Sequence, residues 1–338
     1  MQQRSKKFLT GVFSAAMAGV LLLTGCTSEK PKEEAKATDQ TMPEFKPMDT
    51  TGKKIVAEYK NGKVTEGELN TYINFYSFID PQLAMAFSNP EMSEQLNQFK
   101  EQIAQDYAAQ KYISIKQKVD DSIKKESDKM YNELEKQILT APSEEEEEKP
   151  KTLEEAIKGK GFTKNDMQSY ILRNIQVNQY LNSQIKGQTY DYIKTQHILV
   201  GIGDGEQGSP KRTDAEAKKR ADEVKKKLDE GGDFKALAKE YSDDPGSKET
   251  GGYIEGDASM FVPEFSKAAQ TQPLNKATAP VKTNYGYHVI KPLERKEESL
   301  DKADEQVKAK PIQEAYNEII TKELAFKSLL PKSEPADK

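Results

Sequence analysis

The chain is poor in the residues on which most site chemistry relies. Its 338 residues hold one cysteine, two histidines and no tryptophan. A single thiol excludes a disulfide framework, and one cysteine with His197 and His288 leaves too few ligands for a dedicated Cys/His metal site. No metal and no cofactor are expected. Long apolar runs are scarce as well, and the low share of apolar residue types, 35% against 32% charged, excludes a polytopic membrane protein and points to wide solvated surfaces or grooves. An excess of positive charge is also missing. With 51 Lys plus Arg against 56 Asp plus Glu, net −5, the chain offers no electrostatic footprint for nucleic acid, whose binding relies on neutralised phosphates. What remains is enough chain for two to three domains at roughly 150 residues each and for a sizeable buried core.

The amino terminus reads as an address. Arg4, Lys6 and Lys7 precede an uncharged stretch from Phe8 to Leu23, shorter than the ~20 apolar residues of a spanning helix, which marks residues 1–25 as a signal peptide. It ends Leu23-Thr24-Gly25-Cys26, with the single cysteine last. This run resembles a bacterial lipobox, which implies lipidation at Cys26 and tethering outside the cytoplasm, since acyl chains contribute roughly 0.8 kcal/mol per buried CH₂. Residues 26–52, rich in Lys, Glu, Pro and Thr, are expected to form a flexible linker.

Globular patterning starts at Lys54-Ile55-Val56-Ala57-Glu58-Tyr59, with Asn61-Gly62 as a tight turn before Lys63-Val64. Thr65 and Glu68 form a capping-box pattern, and Leu69, Tyr72, Ile73 and Tyr76 recur at helical spacing. Helical character continues through 91–139, is broken by Glu144–Glu148 between prolines, a solvated loop, and resumes from Leu153 to about Ser183 with a second start at Gly161–Asp166. Near residue 190 the pattern changes. Ile193–Val200 is strand-like, Thr213 and Glu216 cap a helix with Ala217, Ala221, Val224 and Leu228 on one face, Gly231-Gly232 ends it, and Asp233 starts a shorter helix. Loops and strands around Ala279–Val281 and Tyr287–Lys291 complete an α+β unit of order β-α-α-loop-β-β over 191–297. Residues 298–330 read as a C-terminal amphipathic helix too short for its own core, so its partner is the helical part 53–190, and the α+β unit becomes an insertion between them.

Two motifs mislead. Gly203-Asp204-Gly205-Glu206-Gln207-Gly208 matches G-x-G-x-x-G, but Ser209–Arg212 separate it from the helix at Thr213 and its two acids would repel a diphosphate. Ser242 and Ser259 lack the G-x-S-x-G elbow of a hydrolase. Lys211-Arg212 read as part of a solvated loop.

A stronger constellation is Gln196-His197-Ile198-Leu199-Val200, Ala238 to Ser247 with Ser242-Asp243-Asp244, Gly251-Gly252, Val262-Pro263-Glu264-Phe265, and Thr283 to Ile290 with His288. In order and spacing it resembles the parvulin family of peptidyl-prolyl cis-trans isomerases. With the lipobox and the helical flanks, nearly the whole chain is similar to extracytoplasmic foldase lipoproteins, and the split helical part resembles the SurA and trigger-factor type of chaperone module. The resemblance implies an α+β fold in which a parvulin-like domain, a small antiparallel sheet with helices, is inserted in a mostly helical chaperone domain. It implies candidate catalytic residues His197, Asp244, His288 and Thr283, the two histidines as a core pair, Thr283 beside them and Asp244 facing the prolyl amide. Candidate substrate-binding residues are Phe265, Phe261 and Ile254. The family pattern G-G-D-L-G-W-F is replaced here by Gly251-Gly252-Tyr253-Ile254-Glu255-Gly256, so the pocket floor is Ile254 or Tyr253.

Elementary chemistry agrees with these roles. X-Pro isomerisation crosses a barrier of roughly 18–20 kcal/mol set by amide resonance and breaks no bond. A site needs an apolar cup for the ring, exclusion of water and an environment favouring the twisted amide. The expected activity is that of a membrane-anchored foldase with isomerase activity, serving unfolded or partly folded secreted proteins, without nucleic acid and with room for a homodimer. The alternative is a holdase with a weak or inactive parvulin domain. A solute-binding lipoprotein would need two α/β lobes, which the helical run 65–183 contradicts.

Overall fold

The computed structural model describes residues 46–88, 93–141, 149–205 and 209–331. The signal peptide, Cys26, the linker up to residue 45, Glu144–Glu148 and Gly208 lie outside the described residues. The chain divides into two compact units, one made of residues up to Gln184 and from Pro311 onward, the other of Ile185–Lys310.

The first unit opens with a hairpin of β1 (Ile55–Tyr59) and β2 (Gly62–Thr65), turning at Asn61, whose φ of 65° lies in the left-handed region that Asn tolerates. Thr65 ends the strand and caps α1 (Glu66–Ile79): its hydroxyl accepts from the Glu68 N–H and the Glu68 carboxylate accepts from the Thr65 N–H at 2.9 Å. Then follow α2 (Pro81–Ser88), α3 (Ser93–Ser114), α4 (Asp121–Thr140), α5 (Leu153–Ile157) and α6 (Lys164–Gln184). Their core contains an aromatic cluster: Tyr72 meets Tyr170, and Phe75 meets Phe162, edge to face at 5.4 Å. The last residues of the expected linker belong to this unit. Met48 packs on the core and exchanges two hydrogen bonds with Asn74, and the Gly67 N–H donates to the Gly52 carbonyl, so residues 46–52 are held rather than free.

In the second unit come β3 (Thr189–Gly201), the small pair β4 (Gly203–Asp204) and β5 (Lys211–Arg212), α7 (Asp214–Asp229), α8 (Phe234–Tyr241), β6 (Tyr253–Asp257), α9 (Pro263–Thr271), β7 (Val281–Thr283) and β8 (Gly286–Ser299). The four-stranded antiparallel sheet runs β6-β3-β8-β7, its spine the pairing of β3 with β8 from Thr189 opposite Ser299 to Gly201 opposite Gly286. Alternate side chains leave opposite faces. Ile198, Val200 and Val289 therefore pack under Ala217, Ala221 and Val224 of α7 and Phe234 and Leu237 of α8, whereas Ile193 and Ile290 pack with Phe265 and Ala269 of α9. Two expectations are corrected. The stretch taken for loop contains the edge strand β6 and helix α9, and β7 begins at Val281 rather than Ala279. In β6 only Ile254 is a large buried-side apolar residue among Tyr, Glu, Gly and Asp, so its strand character comes from pairing with Tyr192–Gln196 and not from alternation.

The chain then forms α10 (Glu305–Glu318), continues in a π-turn Ile319–Glu323, and ends in β9 (Lys327–Ser328), which pairs with Ala57 and Glu58 of β1. The expected single helix over 298–330 is thus corrected at both ends, where it finishes β8 and supplies a third strand to the first unit's sheet. A buried polar knot ties α10 into that unit: the Tyr316 and Tyr72 hydroxyls and the Gln110 amide all donate to the Asp106 carboxylate.

Candidate active site

The sheet register places the two histidines. His197 lies opposite Ile290 and His288 opposite Leu199, so both rings project to the α9 side on neighbouring strands, 15° from parallel with centroids 5.6 Å apart. Asp244 arrives from the chain after α8. The Ser242 hydroxyl accepts from the Leu199 N–H, the Asp243 N–H donates to the Leu199 carbonyl, and the Asp243 carboxylate accepts from the Gly201 N–H at 2.8 Å and from Arg212. This stitching to β3 sets Asp244 against His197. Gly252 completes the frame, because a Cβ there would stand 2.2 Å from the His197 carbonyl, its φ is 77°, and its carbonyl accepts from the His197 N–H.

The side chains form one continuous run. His197 Nε2 lies 2.9 Å from Asp244 Oδ2 and 2.9 Å from the Ser247 hydroxyl, which also donates to Asp244 Oδ2. His197 Nδ1 lies 3.3 Å from His288 Nδ1, and His288 Nε2 lies 3.0 Å from the Thr283 hydroxyl. Thr283 in turn accepts from the Tyr285 N–H at 3.1 Å. Proton positions follow from the ends. Asp244 is held well below the usual carboxylate range, first by its bond from His197, then by Ser247 and the Gly246 N–H. It is ionised and only accepts, so His197 donates to it from Nε2, and with that ring neutral its Nδ1 accepts. His288 therefore donates from Nδ1, and its Nε2 accepts from Thr283. Burial, followed by the neighbouring His197, lowers His288 from 6.5 to about 4, consistent with a neutral ring. With both rings neutral, every donor in the run points toward the Asp244 carboxylate.

Beside this run lies an apolar cluster. Phe265 meets His197 and His288 nearly edge-on, at 86° and 80°, and stacks on Phe261 at 5.3 Å. Ile254 packs into the same cluster, while Tyr253 is 47% exposed. The structure thus brings together all seven candidate residues. It adds Ser247, Ser242, Asp243 and Arg212, whose pattern Ser-Asp-Asp-x-x-Ser could have been read as a hydroxyl and carboxylate cluster. Arg212, expected in a solvated loop, instead donates to the Gly201 carbonyl at 2.8 Å and pairs with Asp243. Ser242, with its hydroxyl bonded to the backbone and buried, has a structural role, in line with the rejection of a serine hydrolase. An open cleft of about 860 Å³, bordered by Gln196, Tyr253 and Lys291, contains none of the seven.

The chain is similar to known proteins in sequence. Residues 180–296 match the family description of a PPIC-type PPIase domain. A foldase protein PrsA from Clostridium botulinum strain Loch Maree is 30% identical over 359 residues, covering 95% of each chain. Foldase protein PrsA 3 from Bacillus anthracis is 44% identical over 106 residues, 31% of this chain and 32% of the relative. A crystal structure of the peptidylprolyl isomerase PrsA from Bacillus anthracis aligns at 26% identity with a TM-score of 0.35, over 64% of this chain and 88% of that one.

Proposed function

From the premise that the chain belongs to the PrsA foldase family and is a parvulin-type peptidyl-prolyl cis-trans isomerase, we propose that it is a lipid-anchored, extracytoplasmic foldase whose substrates are secreted polypeptides. The observation that carries the catalytic assignment is the ionised Asp244 at the end of a one-way hydrogen-bonded run, beside the cup of Phe265, Phe261 and Ile254. In this reading the cup holds the prolyl ring and keeps water from the amide. A planar amide carries partial negative charge on its oxygen, which is lost on twisting. The Asp244 carboxylate facing that oxygen raises the planar state more than the twisted one, and each 1.36 kcal/mol of this difference is tenfold in rate. His197, His288 and Thr283 position the carboxylate and transfer no proton. The helical unit receives client chain. The anchor reading is supported by the Leu23-Thr24-Gly25-Cys26 run that closes the signal-like segment.

A protease-coupled prolyl-peptide assay on the full chain tests the catalytic part. Asp244→Ala and Phe265→Ala are each expected to lower kcat/KM by about tenfold or more; activity unchanged in both would remove the assignment, and no activity in the intact protein would favour a holdase. Incorporation of labelled palmitate in intact cells, abolished by Cys26→Ser, tests the anchor, and labelling that survives the substitution would exclude it.

A further inference from the structure

In the first unit, Arg173 of α6 borders a cleft of about 430 Å³ that plays no part in the isomerase site. Its guanidinium carbon sits 5.0 Å from the ring centre of Tyr107 and 5.7 Å from that of Tyr170, within cation–π range of both. Its Nη1 is buried without a hydrogen-bond partner. The other arginines among the described residues all reach an oxygen: Arg212 pairs with Asp243, Arg220 donates to the Glu240 carbonyl and Arg295 to the Ala269 carbonyl. Arg173 alone has none. The two carboxylates that border the same cleft are engaged elsewhere, Glu68 with Lys111 and the Thr65 N–H, and Asp166 with the Thr163 N–H and hydroxyl.

A half-buried guanidinium fixed over two rings and lacking an anion is a prepared receptor, because its desolvation is uncompensated until an acceptor arrives. The charges lining the cleft indicate which acceptor. Lys53 and Arg173 are balanced by Glu68 and Asp166, so a multiply charged phosphate or membrane surface gains little there. A single carboxylate matches the planar fork of one guanidinium. We propose that this cleft is a carboxylate-binding site for extended polypeptide, taking one aspartate or glutamate side chain of a client on the guanidinium of Arg173. The proposal rests on the reading that the helical unit receives client chain, and it adds a sequence preference to that unit independent of proline.

The test titrates the full-length protein with a blocked pentapeptide bearing one central aspartate and with its asparagine counterpart, followed by the NMR signal of the Arg173 side chain and of the backbone around it. The aspartate peptide is expected to bind about tenfold more tightly. Arg173→Gln should erase that preference, and Arg173→Lys should retain part of it. Ser169→Glu, an exposed change one turn before Arg173 on α6, should also erase it by pairing with the guanidinium in a helix that the added i,i+4 pair supports. Equal affinity for the two peptides, no binding of either, or a preference that survives both Arg173→Gln and Ser169→Glu would overturn the proposal. So would phosphatidylglycerol vesicles that bind at Arg173 and displace the peptide, which would reassign the cleft to a lipid headgroup. Prolyl isomerase turnover measured on the same samples separates the readings: lost turnover with the preference intact sinks only the catalytic assignment.

Discussion

The one-way hydrogen-bonded run predicts two different histidine tautomers, and the chain's two histidines make this unusually direct to observe. With ¹⁵N-labelled histidine the spectrum at pH 7.5 should contain one ring protonated on Nε2, His197, and one protonated on Nδ1, His288. Acid is the perturbation. His288 is lowered from 6.5 to about 4, so between these values the unfolded chain binds a proton that the folded chain refuses. Its stabilising contribution is therefore complete above about pH 6.5 and is lost as pH falls toward 4. At 1.36 kcal/mol per pKa unit the loss is about 3 kcal/mol by pH 4. The assay is a pH titration of the ring nitrogens, followed by urea unfolding of the second unit at pH 7 and pH 4.5 read from the same signals. Thr283→Val provides the control, since it removes the hydroxyl that satisfies His288 Nε2 and should cost about 1–3 kcal/mol while freeing the tautomer. Two rings in the same tautomer, or His288 titrating near 6.5, would refute the proton assignment and with it the argument that Asp244 is the fixed acceptor.

Ser247→Ala removes a donor to Asp244 Oδ2; a bond to a charged group of this kind contributes about 1.5–3 kcal/mol, so isomerase activity should fall and its acidic limb should move up in pH, and an unshifted pH profile would exclude Ser247 from the site. In the first unit, burial raises Asp106 to about 6, so its effect has the opposite sign: the carboxylate weakens that unit above pH 6, and acidification toward pH 5 should strengthen it. Tyr316→Phe should lower the unfolding midpoint of the first unit and steepen its decline above pH 6, measured from tyrosine signals of that unit; an unchanged midpoint would show that the knot does not hold α10.

Much of the fold was legible wherever the governing interaction is local. The capping pairs Thr65 with Glu68 and Thr213 with Glu216 lie three residues apart and close as written, and the apolar stripe Ala217, Ala221, Val224 follows helical spacing onto the sheet. The turn at Asn61-Gly62 is equally local. Strand β6 was not legible, because Ile254 is its one aliphatic side chain and pairing with β3 decides its conformation. Strand β9 is two residues long and exists only because β1 offers it an edge. The candidate site residues came from the resemblance to the parvulin family, whereas the Ser-Asp-Asp-x-x-Ser run marks Ser247 and Asp243 only as a polar cluster and nothing in the sequence ties Asp243 to Arg212.

By itself, then, the amino-acid order determined where helices begin, which faces are apolar and which few residues are available for chemistry, since these depend on contacts within a turn or two of chain. The tertiary structure decided the rest. His197 and His288, separated by 91 positions, meet only through the β3–β8 register, and which nitrogen of each carries the proton depends on a carboxylate 47 residues away from His197 in one direction and on Thr283 at the other end. Proton placement is a property of the whole closed run, because a neutral imidazole has one donor and one acceptor and each choice dictates the next.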